Sequence, residues 1–296
     1  MKLFKHFKSL FGTSENQFQI IDATINALPD VNFQQIQDRE KDGLIVRNFI
    51  SPEDCKLLVE NLEKENENFN SPQHPIFPSS FAQIDRDSKD FKAEMESYFS
   101  KSLSFVDSFS EKYGFNIIDK VTGIFSHLNP SITPDTPLGF DGKGCYIPGT
   151  FRIQHPEKVS INLHCGNQFI HLFPKYYEHL SSTVDVMDQL SYFIMLQEPD
   201  EGGRLILYDV SWSEAQDCNS GTNSIITRDG KTIPLDVSKS IQSSKLDIRT
   251  GDLLVFSGGK IWHAVEQVTG NTKRITYGGF VAFGKGNNTS NFYLWS

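Results

Sequence analysis

What most constrains this 296-residue chain is a succession of strand-length segments, each closed by turn residues, that begins after Asn116. They are Gly149–Gln154, Val159–Cys165, Leu190–Leu196, Arg204–Val210, Asp252–Phe256 and Ile275–Phe283. Segments of this length and spacing predict an all-β sandwich or barrel. His155-Pro156-Glu157-Lys158 stands between two of them and reads as a hairpin turn. Arg228-Asp229-Gly230-Lys231 reads as another, since Asp-Gly is a strong turn signal. The polar stretch from Ser211 to Lys245 predicts a surface excursion from the sandwich.

The first 115 residues have a different texture, mostly helical with short extended pieces. Ser51 can cap a helix in which Pro52 suits the first turn and Glu53 and Asp54 complement the N-terminal dipole. Cys55, Leu57, Leu58 and Leu62 then give it one apolar face. Asn68 to Phe81 holds three prolines and reads as a loop. A second helix is predicted through Phe91–Phe99, continuing towards Phe109. The expected organisation is a helical part over residues 1–115, bracing one face of the sheet and serving as a substrate lid, and a strand-rich domain over 116–296. Leu3, Phe4, Phe7, Leu10 and Phe11 share one face of a terminal helix; the segment lacks the continuous apolar run and cleavage site of a signal peptide.

Composition narrows the function. Net charge is −9 and no segment gathers Lys and Arg into a stripe, which argues against a nucleic-acid platform. No apolar run approaches a membrane span. The four cysteines are scattered without a CxxC pair, as expected of reduced thiols in the cytoplasm.

The chemistry gathers in the C-terminal third. Gly251 to Phe256 forms a strand that ends in a turn at Gly258-Gly259, and the next strand carries His263. Eleven residues on, Arg274 opens another strand, with Thr276 on the same face by the period-two rule. A buried guanidinium must find an anion, and a dicarboxylate held bidentately would satisfy it. Taken singly, each residue also fits a blander role: Arg274 paired with a surface acid, His263 packed in the core.

In order, these residues resemble the iron(II)/2-oxoglutarate oxygenases. The resemblance runs from Cys145 to the C-terminus through Asp188-Gln189-Leu190-Ser191-Tyr192-Phe193 and Glu201-Gly202-Gly203. It implies a double-stranded β-helix (jelly-roll) core of α+β class, with His263 as the distal iron ligand and Arg274 as the cosubstrate clasp. The proximal segment is Leu163-His164-Cys165-Gly166-Asn167. His164 matches the first iron ligand, and Gly166 stands where the family carries the carboxylate of its facial triad. Two imidazoles, a bidentate 2-oxoglutarate and one open position then leave room for chloride, which also replaces the lost negative charge.

The arrangement is similar to the halogenase branch, and within it to the cyanobacterial hapalindole- and welwitindolinone-type alkaloid halogenases. The shared segments are His164–Asn167, the Gly-Gly turn before His263, Gly270-Asn271, Gly278-Gly279-Phe280 and Tyr293-Leu294-Trp295-Ser296. Ala82-Gln83-Ile84 matches more weakly, near the substrate pocket of that group. The resemblance implies Fe(II), 2-oxoglutarate and chloride as cofactors and O2 as cosubstrate. It implies chlorination of an unactivated aliphatic C–H of a free-standing small molecule, an alkaloid or other natural product, via a ferryl-chloride. Ser191 is a candidate to steer the oxidant, Arg152 to support 2-oxoglutarate or the halide, Thr276 to assist Arg274, and Asn167 to sit near the halide beside Gly166.

Three other readings stand beside this one. His155-Pro156-Glu157 could supply a conventional facial pair and make the enzyme a hydroxylase. A hydroxylase could also keep His164 and Gly166 and place water in the open position. A non-catalytic jelly-roll binding protein would treat both histidines as core, together with His127, His171 and His179, which read as structural.

Overall fold

The computed structural model describes residues 18–158, 161–219, 222, 224–235 and 241–296, so the amphipathic segment expected over residues 3–11 lies outside them. Two β-sheets face one another. The major sheet runs, in spatial order, Ile20–Thr24, Gly43–Arg47, Leu253–Phe256, Leu190–Gln197 and Arg274–Phe283. The far edge of the last strand is shared by Asn291–Trp295, which pairs with Thr133–Asp135, and by Thr150–Gln154, which pairs with Ile76–Phe77. The minor sheet has the order Ser243–Leu246, Leu205–Ser211, Ile261–Val265, Ile161–His164.

Side-chain alternation explains why these segments take these places. Phe193, Met195, Leu254 and Phe256 turn inward onto Leu205, Leu207, Ile261 and Val265 of the minor sheet. Their neighbours Tyr192, Ile194, Leu196, Leu253 and Val255 turn outward into a second core with the helices. The Leu190–Gln197 strand is therefore buried on both faces, as its almost unbroken apolar sequence requires. The result is a jelly roll of α+β class.

The helices on the outer face are α1 (Phe33–Gln37), α2 (Pro52–Glu65), α3 (Phe91–Tyr113) and α4 (Ile117–Leu128). The Ser51 hydroxyl accepts from the Asp54 amide at 3.0 Å, the cap that its sequence predicts. Helix α4 departs from expectation, because strands were predicted from Asn116 onward. The Asn116 side chain caps it by accepting from the Ile118 and Asp119 amides, and Ile117, Val121, Ile124, Phe125 and Leu128 bury one face. Two extended pieces of the helical part, Ile20–Thr24 and Gly43–Arg47, join the major sheet, with Ile45 opposite Leu254.

The turn at residues 155–158 is a second correction. It is not a hairpin: the strand before it pairs with Arg274–Gly278, and the strand after it with His263–Val265. It carries the chain from the major to the minor sheet, with Glu157 in the left-handed region at φ 57°. Turn residues mark a reversal but do not say which strand lies alongside. The Asp229-Gly230 turn is a true hairpin between Ser224–Thr227 and Thr232–Pro234, with Gly230 at φ 79°. With Ala215–Asn219 it builds a three-stranded excursion from the sandwich.

Among the described residues, no helix is long and apolar enough to cross a membrane. Removing the α2 cap by Ser51→Ala should lower unfolding free energy by about 1 kcal/mol in urea denaturation; an unchanged midpoint would show that the cap contributes nothing.

Candidate metal and cosubstrate site

The two sheets enclose a cavity of about 970 Å³. From the minor sheet it receives His164 and His263, whose Cα atoms are direct cross-strand partners. Paired residues on antiparallel strands project to the same side, and the two ring centroids are 4.2 Å apart. His263 is only 6% exposed; His164 is half-buried and lines the cavity.

Each imidazole is anchored in the same way. Nδ1 of His164 donates to the Asn162 carbonyl at 2.6 Å, and Nδ1 of His263 to the Ile261 carbonyl at 2.8 Å. A carbonyl can only accept, so the proton belongs to Nδ1 and each ring keeps its Nε2 lone pair for another partner. Burial pushes the His164 pKa down to about 4, partly offset by its carbonyl contact and reinforced by Arg152. Burial first, then neighbouring His164, holds His263 well below its ordinary value. Both rings are therefore neutral, the form that binds a metal. Among the described residues, no third His, Cys, Asp or Glu completes a metal-binding group with them.

The major sheet supplies the opposite wall. Thr276 pairs with Arg152, and Arg274 with Gln154, so two guanidiniums face the cavity two residues apart along neighbouring strands. Arg274 is 2% exposed, donates to the Gln154 Oε1 at 2.8 Å and stacks over the Phe193 ring at 5.2 Å. Burial, aided by Arg152, pushes its pKa down to about 9. Among the described residues neither guanidinium has a carboxylate partner; Arg152 lies over the Phe280 ring at 5.9 Å. Arg274 Nε and Gln154 Nε2 are buried donors without acceptors, and His155 Nε2 is likewise unpartnered. Such orphaned groups are costly. Together they fit an acceptor-rich dianion, as the imidazole pair fits a divalent metal.

The remaining expected residues fall into two groups. Ser191 reaches the cavity, packed against bare Gly258: a Cβ there would lie 2.1 Å from the Ser191 Oγ. Gly259 is likewise closed in by the Gln189 backbone, so a close approach dictates the Gly-Gly turn. Asn167 is not brought to the cavity. Both ends of its amide are taken by Asp188, with Nδ2 donating to Oδ1 at 2.7 Å and Oδ1 accepting from the backbone amide at 2.8 Å. Glu157 is exposed in its turn, so His155-Pro156-Glu157 presents no carboxylate inward.

Gly166 itself is buried, and sequence reasoning missed its neighbour. A Cβ on Gly166 would meet the Gln189 Nε2 at 2.6 Å. Gln189 lies in a segment quoted for resemblance alone, and only tertiary packing reveals the contact. Phe81 and Ala82, from the segment between α2 and α3, join Ile161, Phe169 and Phe173 as the apolar wall of the cavity.

Comparison with known proteins follows the same lines. A family model described as "Carrier-protein-independent halogenase WelO5" matches residues 17–296. The chain is similar to a solved structure of a novel N-substituted L-amino acid dioxygenase from Burkholderia ambifaria AMMD, at 16% identity over 89% of both chains and a TM-score of 0.56. It is also similar to that dioxygenase in complex with alpha-KG, at 15% identity, the same coverage and a TM-score of 0.54. At these identities the likeness speaks for the fold. No curated protein matches significantly.

Because both histidines are neutral when folded and titrate near pH 6.5 when unfolded, the unfolded chain binds more protons between those values. Stability of the metal-free protein should therefore fall as pH drops below about 6.5 towards the folded pKa values. His164→Asn should flatten that slope in pH-dependent urea denaturation; an identical slope would mean that His164 is not held neutral.

Proposed function

The chain belongs to the carrier-protein-independent halogenase family, an iron(II)- and 2-oxoglutarate-dependent class of oxidoreductase that uses chloride, and from that premise we propose that it chlorinates an unactivated aliphatic C–H of a free-standing small molecule. One observation carries this reading: two neutral imidazoles face each other with both Nε2 atoms available, while the position two residues after His164 is glycine. His164 and His263 would hold the metal. With no protein carboxylate beside them, an exogenous anion would supply the further negative ligand near Gly166.

Bound iron, with 2-oxoglutarate and O2, supplies the oxidising power that removes a substrate hydrogen atom. The protein's own contribution is placement. Arg274 clasps the distal carboxylate of 2-oxoglutarate with Thr276 beside it, and Arg152 adds a second positive charge for cosubstrate or halide. Ser191, on the strand facing both histidines, is placed to orient the reacting group. The Asp188–Asn167 pair fixes Gly166 against the Gly258-Gly259 turn, whose carbonyls accept from the Gly166 and Asn167 amides at 2.8 and 3.1 Å. Around them the apolar wall excludes water and suits an apolar natural product such as an alkaloid, and the 72–87 loop acts as the lid. Four unpaired cysteines support a reducing, cytoplasmic setting.

Anaerobic reconstitution with iron(II) and 2-oxoglutarate tests the reading without a known substrate. The metal-to-ligand absorption band should shift when chloride is added; a band indifferent to chloride contradicts it. Gly166→Asp should still bind iron but lose chlorination in favour of hydroxylation or no turnover, and unaltered chlorination would remove the halide from that position. Arg274→Ala should weaken 2-oxoglutarate binding by about 2–3 kcal/mol, roughly 30- to 150-fold. An unchanged requirement in the same titration would move the clasp elsewhere.

A further inference from the structure

Gln189 is a fully buried side chain beside Gly166 whose polar atoms have no use in the fold. It is 0% exposed, and neither Oε1 nor Nε2 has a hydrogen-bond partner. Its backbone surroundings are engaged elsewhere: the Gln189 carbonyl accepts from the Gly259 amide at 2.8 Å, and the Asp188 amide and carboxylate are held by Asn167. A primary amide sealed from water with both ends idle costs more than an apolar side chain of the same shape. Its position is specific, since the Cβ missing from Gly166 would lie 2.6 Å from Nε2 and 3.2 Å from Cδ. The amide nitrogen crowds the place where the first carbon of a facial-triad side chain would stand.

We infer that the Gln189 side-chain amide completes the halide position by donating an Nε2–H hydrogen bond to the bound anion. This rests on the halogenase reading above and goes beyond it by naming the residue that replaces the lost side chain. In a His-x-Asp enzyme the metal-bound oxygen lies two bonds past that Cβ, so a halide in its stead comes within reach of Nε2. A neutral NH2 group offers two donors and no acceptor. It stabilises an anion without bringing a negative charge that would compete for the metal. The two positions then act together: glycine removes the carboxylate, and the Gln189 amide lies beside the space that is left.

The test compares the wild-type protein with Gln189→Leu, a near-isosteric apolar replacement. Chloride is titrated anaerobically into the iron(II)–2-oxoglutarate form and read from the absorption band. Its dissociation constant should rise about tenfold in the variant, as expected for loss of one hydrogen bond to a charged acceptor, while iron and 2-oxoglutarate retention stay as in wild type. The metal-free variant should also melt at or above the wild-type temperature, because an idle buried amide has been removed. If Gln189→Leu does not fold, Gln189→Met should give the same two results. Equal or tighter chloride binding in the variant, or a lower melting temperature of the metal-free form, overturns the inference and leaves the halogenase reading intact. A wild-type band that ignores chloride overturns both.

Discussion

The pairing of His164 with His263 across the minor sheet is the contact on which the site depends. Cross-strand register alone puts two imidazoles 4.2 Å apart, in surroundings where protonating either would cost both desolvation and repulsion. Backbone carbonyls two residues back fix each ring's tautomer, so both Nε2 nitrogens keep their lone pairs without help from side chains. Such anchoring by main chain is rigid, because moving the ring means breaking the strand. The nearby loops then fit around this pair: the Gly258-Gly259 turn is bare so that Ser191 and the Gln189 backbone can press against it.

Electrostatics gives the cavity its character. Its lining includes the imidazoles of His164 and His263 and the guanidiniums of Arg152 and Arg274, neither of which has a carboxylate partner among the described residues, together with Lys158 and the Arg86, Asp85 and Asp87 side chains. Adding a divalent metal makes the positive excess larger. In a conventional facial triad, protein supplies one of the balancing negative charges; here it must come from small anions. A dianionic cosubstrate and a halide are the ligands such a field favours, and the idle donors of Arg274, Gln154 and Gln189 face the same way chemically. The site is built to be finished by what it binds.

Much of this was legible in the sequence because its signals are local. Strands expected to start at Leu190, Asp252 and Ile275 from apolar runs between turn residues start at Leu190, Leu253 and Arg274, and the Ser51 cap follows from one hydroxyl before Pro52. His164, His263, Arg274 and Thr276 fall where period-two alternation and the ordered segments place them. What escaped depends on partners distant in the chain. Helix α4 was hidden because Ile117 to Leu128 is apolar enough to pass for strand. The 155–158 turn was misread because reversal does not identify the neighbouring strand. That Asn167 is bonded to Asp188, twenty-one residues away, through both its amide oxygen and one amide N–H could not be read from sequence. Gln189 gave no signal at all, since its meaning lies in a Cβ that Gly166 does not have.

X-ray absorption at the iron edge of the anaerobic iron(II)–2-oxoglutarate protein in bromide tests the central claim most directly. Two imidazole nitrogens, oxygens attributable to 2-oxoglutarate and one heavy scatterer at bonding distance are expected, with the heavy scatterer absent from a bromide- and chloride-free sample. A first shell of nitrogen and oxygen alone, identical with and without bromide, would contradict it.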